Sequence, residues 1–167
     1  MSRSLVEIIL SRRSVRRYKK KPIPEDVMLK ILEAGRMAPS ANNRQPWRFI
    51  VVTDEKLKLL LGDRVWNRFI RDSAFTVVGC GYCGDELSRK WSTIDTAIAL
   101  QNMVIAAWSM GVGSCWIGDF DEAKVKSILG IPEDWKVVCL VSFGYPEEVP
   151  SPPRKKSLSE VVSYNKF

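Results

Sequence analysis

The amino-acid sequence predicts an α+β domain, a small central sheet layered with helices. Three observations lead there. Helical apolar patterns alternate with short apolar runs of strand length, as between Val27–Ala34 and Phe49–Val52. Proline or glycine punctuates many of the boundaries. The 167 residues fit one domain, 1–167, large enough to bury a core of its own. Hydrophobic residues at 46% and charged ones at 27% exclude a disordered chain.

The elements follow in order. Ser4-Leu5-Val6-Glu7 is a capping box, with Ser4 as N-cap and Glu7 at the third helical position. That helix is expected to turn Leu5, Ile8 and Ile9 inward and to end near Ser11. Pro24-Glu25-Asp26 opens a second helix, with proline early and acids in the first turn, running to about Met37. Arg48–Thr53 reads as a strand. Asp54 caps a short helix stopped by Gly62, and Ala74–Gly81 reads as a buried strand. Ser92–Met110 is the longest helix and is apolar on nearly every side, so core and subunit interface together are expected to bury it. Gly111–Gly118 ends it and brings backbone close to a neighbour. Asp121 caps a helix ended by Gly130, and Lys136–Gly144 is a further strand. Pro146, Pro150, Pro152 and Pro153 stiffen an extended arm before Arg154-Lys155-Lys156 and a second capping box, Ser157–Glu160. The sum is four or five short strands.

The stretch Ala38–Phe49 carries the densest polar chemistry. Ser40, Asn42, Asn43 and Gln45 offer donors and acceptors in quick succession beside Arg44 and Trp47. Two readings fit: an ordinary helix-to-strand turn between prolines, or a loop matched to a planar ligand edge.

The net charge of +7 is uneven, with seven cations between Arg12 and Lys21. The run could bind nucleic acid, neutralise the phosphate of a small cofactor, or form a solvated segment. After Arg13 it alternates, so an extended segment sends Ser14 and Arg16 to one face and Val15 and Arg17 to the other.

There is no histidine, which excludes Ser-His-Asp and Cys-His catalysis. An enzyme here would draw its reactive atom from a bound cofactor. Cys80, Cys83, Cys115 and Cys139 lie in or beside strand-like runs and are expected as reduced core residues. Cys80-Gly-Tyr-Cys83 has the spacing of a redox or metal pair, but no second close pair follows, so no metal is expected. The start of the chain has no signal-peptide apolar core, and no apolar run reaches membrane length. A cytoplasmic protein that binds no membrane is expected.

The chain resembles the nitroreductase family of FMN-dependent oxidoreductases. The resemblance rests on Ser11-Arg12-Arg13-Ser14-Val15-Arg16, on Ala38-Pro-Ser-Ala-Asn-Asn-Arg-Gln-Pro-Trp47 and on the apolar helix after Asp95. Gly111–Gly118, Phe143-Gly-Tyr-Pro146 and the basic tail at Arg154 complete it. It implies a mostly antiparallel sheet flanked by helices, in an intertwined homodimer with FMN sites at the interface. By position, Arg12, Arg13 and Ser14 should approach the phosphate and ribityl chain, with Arg154 and Lys156 completing the phosphate site. Arg16 should support N1 and O2 of the ring, where negative charge collects on reduction. From the partner subunit, Pro39, Ser40, Ala41, Asn43 and Gln45 should line the flavin. Trp116, Ile117 and Gly118 should present backbone to the ring. Hydride would pass from NAD(P)H to flavin N5 and on to an electron-poor acceptor such as a nitroaromatic, quinone or enone. No catalytic side chain would then be needed. Longer members carry a lid where this chain has only the short stretch between Gly62 and Asp72, with Asn67 and Arg68 as open candidates for flavin contact. Two rivals stand beside this reading. One is an FMN-binding sensor or store without nicotinamide-driven turnover, the other a basic nucleic-acid-binding protein.

Overall fold

Four strands pair into one antiparallel sheet among the described residues, 4–167, of the structure, which is a computed structural model. They are β1 (Trp47–Val52), β2 (Phe75–Tyr82), β3 (Gly113–Ile117) and β4 (Trp135–Gly144), in the order β1-β2-β4-β3. Every pairing is antiparallel. The helices are α1 (Leu5–Ser11), α2 (Glu25–Arg36), α3 (Glu55–Leu61), α4 (Glu86–Ser109) and α5 (Glu122–Leu129).

Both faces of the sheet are covered. On one, Val77, Val141 and Phe143 pack with Ile31 of α2 and Leu100, Met103 and Val104 of α4. On the other, Val78 and Leu140 pack with Leu61 of α3 and Val125 of α5. Neighbouring residues of a strand serve opposite layers because side chains alternate across the pleat. Two-sided burial explains why β2 reads as a continuous apolar run instead of an alternating one. Each large core side chain contributes roughly 1.5–3 kcal/mol by leaving water. α2 approaches α4 closely because Gly35 has no side chain; a Cβ there would sit 2.7 Å from Met103 Cγ and 3.2 Å from the Ala99 carbonyl.

The caps at Ser4, Asp54 and Asp121 form as expected, each side-chain oxygen accepting a backbone amide of the first turn. Gly130 closes α5 in the left-handed conformation. Three expectations are corrected. α4 begins at Glu86, six residues before Ser92, because Asp85 is the N-cap and accepts from the Ser88 amide at 3.0 Å. Gly111–Gly118 is largely strand: Gly113–Ile117 pairs with β4 as an edge. α1 buries no residue within the chain, and Leu5 and Ile9 are exposed. The apolar character of α4 needs no correction: Trp91, Ile94 and Ile98 are exposed, so one subunit does not cover all of its apolar surface. Other strand and helix ends differ by one residue, which is the ordinary uncertainty of a boundary.

Candidate functional site

The basic segment after α1 runs extended along the outer edge of β3. Ser14 forms a parallel bridge with Ser114, and the Val15 amide donates to the Ser114 carbonyl at 2.9 Å. Val15 and Tyr18 are the buried anchors. The Tyr18 hydroxyl donates to the Val15 carbonyl at 2.7 Å and lies 2.7 Å from Ser142 Oγ. Burial pushes the Tyr18 phenol up, against the pull of its Ser142 hydrogen bond, so it stays protonated as a donor. Gly113 makes the close approach possible: a Cβ there would meet Val15 Cγ2 at 2.7 Å. Val15 does turn inward, but Arg17 does not pack with it. Arg17 instead bonds Glu147 and Glu148 in solvent, because a guanidinium beside two carboxylates is better placed in water than in the core.

A cleft of about 500 Å³ opens beside this segment, lined by Arg12, Arg13, Ser14 and Arg16 and by Pro150–Pro153 and Lys155 of the proline-rich arm. No carboxylate among the described residues lines it. The Arg13 guanidinium folds back and donates to the Leu10 and Arg12 carbonyls, which caps the end of α1. Beneath the segment, burial raises the Cys115 thiol, while the charges of Arg16 and Arg12 pull it down. Arg154 and Lys156 are exposed and do not line the cleft; Lys155 between them does. Neighbours on an extended segment point to different sides.

The polar loop lies at the opposite edge of the sheet, before β1. Ser40 Oγ accepts from the Gln45 amide at 2.9 Å, and Gln45 Nε2 donates to the Asn43 carbonyl at 3.2 Å. Asn42, Asn43 and Gln45 all adopt positive φ, at 52°, 53° and 52°. Asparagine tolerates that region, but glutamine rarely enters it. Such backbone costs on the order of 1–3 kcal/mol per residue and persists only where the surroundings impose it. The surroundings here are Arg44, which pairs with Asp85 and bonds Ser88, and the buried Asp95 carboxylate, which accepts from the Ala41 amide. Sequence reasoning assigned Asp95 no role; its signal was a lone acid inside an apolar helix.

Pro39, Ser40 and Ala41 border an apolar hollow of about 370 Å³ with Trp91, Ile94 and Ile98. Ile94 and Ile98 also line a second hollow, about 540 Å³, that reaches Gln101 and Trp116. Trp116 Nε1 donates to Gln101 Oε1 at 3.2 Å. An open apolar trough therefore runs along α4 from the Ser40 loop to β3. Ile117 is buried behind it and Gly118 is exposed at the end of the strand.

The structure thus brings Arg12, Arg13, Ser14 and Arg16 together, and separately Pro39, Ser40, Ala41, Asn43 and Gln45. It does not join the two groups within one chain. They flank opposite edges of a four-stranded sheet, about 14 Å apart by strand spacing alone. Asn67 is committed to the fold. It is fully buried, donates to the Leu61 and Asp119 carbonyls at 3.1 Å each, and accepts from the Arg64 amide. Arg68 is exposed. Cys80 sits in the layer facing α5, while Cys83 contacts Ser92 of α4 on the other face, so the two thiols are turned apart.

Known proteins share this fold. The sequence model described as "Nitroreductase family" matches residues 9–75 and 66–145. A putative NADH dehydrogenase/NAD(P)H nitroreductase of Archaeoglobus fulgidus is 35% identical over 152 residues, covering 86% of each chain. The crystal structure of a putative NADH dehydrogenase/NAD(P)H nitroreductase of Parabacteroides distasonis superposes with a TM-score of 0.87 at 30% identity, covering 98% of each chain. The NADPH:FMN oxidoreductase of Vibrio harveyi, solved with NAD+, gives a TM-score of 0.92 at 26% identity, over 98% of this chain and 77% of that one. With matches spanning both the basic segment and the polar loop, the chain belongs to the nitroreductase family.

Proposed function

We propose that the protein is an FMN-dependent NAD(P)H oxidoreductase that works as a homodimer. The observation that carries this reading is the cleft of Arg12, Arg13, Ser14, Arg16 and Lys155, where cations and a hydroxyl meet without a carboxylate. Such a donor set fits a phosphate monoester. In this reading Arg12 and Lys155 hold the phosphate, with Arg154 and Lys156 of the same arm adding positive charge, and Ser14 bonds the ribityl chain. Arg13 shapes the cleft by capping α1. Arg16 faces the pyrimidine edge of the ring and offsets negative charge there. When bound, FMN supplies the atom that accepts hydride from NAD(P)H and returns it to an electron-poor acceptor such as a nitroaromatic, quinone or enone.

The second subunit completes the site. Pro39, Ser40, Ala41, Asn43 and Gln45 stand at the far sheet edge from Arg16, so a partner's loop is the natural cover. Trp116, Ile117 and Gly118 present backbone toward the ring. The exposed apolar residues of α1 and α4, with Leu158, Val161 and Tyr164 of the tail, support an extensive subunit contact. No helix among the described residues is long and apolar enough to cross a membrane.

The test is the absorbance spectrum of the purified protein, then anaerobic titration with NADH and NADPH. A yellow protein bleached by one nicotinamide is expected. A colourless protein with no affinity for added FMN would overturn the proposal. A yellow protein that neither nicotinamide bleaches would point to a flavin store instead.

A further inference from the structure

The basic run divides at Tyr18. Its first half serves the cleft described above, and Arg17 is held by Glu147 and Glu148. Lys19, Lys20 and Lys21 go elsewhere. The Lys19 amide donates to the Tyr145 carbonyl, which carries the three lysines past the end of β4 and away from Arg12. There they border a different cavity, of about 640 Å³, beside the start of β2 and beneath α3. Arg71, Lys58, Ser73 and Ala74 also line it.

Lys58 is the unusual member. It is 3% exposed, and lysine is almost never buried to that degree without a partner. Its ammonium donates to the Ser73 carbonyl at 2.7 Å and pairs with Glu55 at 2.8 Å. An ammonium has three hydrogens, so two partners leave one donor over. Arg71 is fixed in a similar way: its Nε donates to the Gly62 carbonyl at 2.7 Å, which leaves the terminal nitrogens available. Among the described residues Lys19, Lys20, Lys21 and Arg71 form no ion pair. Five cations therefore line one hollow with two carboxylates, Glu55 and Asp72; Glu55 is already engaged, and the Lys21 ammonium lies over the Tyr145 ring, 4.7 Å from its centroid. Like charges gathered in a concave site repel one another and raise the local concentration of anions.

We propose that this cavity is a second anion site, separate from the flavin cleft, that takes a compact polyanion of the di- or triphosphate class. A single carboxylate or phosphate would leave most of the five donors unused, and the cavity volume admits a larger anion. Forked guanidinium and mobile ammonium donors around one hollow suit several phosphoryl oxygens at once.

The probes are inorganic pyrophosphate and tripolyphosphate, titrated calorimetrically into FMN-loaded protein at 0.15 M salt. Flavin absorbance is followed throughout, so that displacement from the flavin cleft is seen separately. Saturable binding of one anion per chain with the flavin retained is expected. Lys20→Glu, at an exposed position, and Arg71→Glu, checked by a melting curve because Arg71 Nε bonds the Gly62 carbonyl, should each weaken it about tenfold or more. Lys58→Met tests the buried donor, with a melting curve to confirm the fold. No saturable binding, binding unchanged in both charge reversals, or binding that merely expels flavin would each overturn the proposal. A colourless protein would instead count against the flavin reading, and the two charge reversals would still report on this cavity.

Discussion

The Asp95 carboxylate, 4% exposed, accepts the Ala41 amide hydrogen with both oxygens, at 3.2 and 3.3 Å. One buried acid on α4 thereby fixes the turn of the loop that carries Ser40, Asn43 and Gln45. Asp95→Ala removes the acceptor and leaves the Ala41 amide unpaired, at a cost of about 1–3 kcal/mol. The loop also loses a restraint on its three positive-φ residues. Loss of thermal stability together with several-fold weaker FMN retention is the expected outcome, read by a melting curve and a flavin fluorescence titration. Stability loss with unchanged flavin affinity would make Asp95 a fold residue only.

Arg12 and Arg16 differ in what their loss should do. Both lie close enough to the buried Cys115 to depress its thiol against the effect of burial, which places positive charge on the floor of the segment. Arg12→Ala should weaken FMN binding while leaving the potential of the bound flavin nearly unchanged. Arg16→Ala should lower that potential by roughly 30 mV, about 1.4 kcal/mol for a two-electron couple. Dye-coupled reductive titration distinguishes them. An unchanged potential in a well-folded Arg16 variant would reject its assigned role.

Gly113→Ala tests whether the extended segment must lie flat on β3. The new methyl would meet Val15 Cγ2 at 2.7 Å and Cβ at 2.9 Å, and Val15 is fully buried and stiff about χ1. The segment has to shift, at an expected cost of about 1–3 kcal/mol, and Arg12, Ser14 and Arg16 move with it. Lower stability and weaker FMN binding should appear together. Val15→Ala in the Gly113→Ala background should restore flavin affinity only in part, because it removes the 2.7 Å contact with Cγ2 and leaves the one with Cβ at 2.9 Å.

Local features were readable in the chain itself. The capping boxes, the proline breaks, the helix stop at Gly130 and the inward turn of Val15 each depend on a few adjacent residues, and each appears in the structure. What was not readable depends on distant neighbours. The first turns of α4, Glu-Leu-Ser-Arg-Lys-Trp, are too polar to show periodicity, although Asp85 marks their start. β3 was hidden because Gly113 serves close packing and not a turn. The separation of Arg16 from Ser40 follows from the strand order, which no local pattern encodes. Nothing adjacent in sequence marks Lys58 as buried; its ammonium reaches the Ser73 carbonyl, fifteen residues on.

The buried thiols give the protein an alkaline limit of defined sign. Burial raises Cys80 and Cys139 from an ordinary 9.0 to about 11. In the unfolded chain both ionise as pH passes 9, while in the fold both keep their protons until about 11. The unfolded state therefore binds fewer protons across that window, and stability falls as pH rises through it. Each thiol contributes a slope of at most about 1.4 kcal/mol per pH unit. Below pH 9 both thiols are neutral in either state and contribute no slope. Chemical denaturation at pH 8, 9 and 10 should show the midpoint constant at first and then dropping. Cys80→Ala and Cys139→Ala should each lower stability at pH 8, by leaving a small cavity, yet flatten the decline above pH 9. A decline equally steep in the double variant would assign the alkaline limit to other groups, with the buried Tyr18 phenol, which burial shifts in the same direction, as the next to test by Tyr18→Phe.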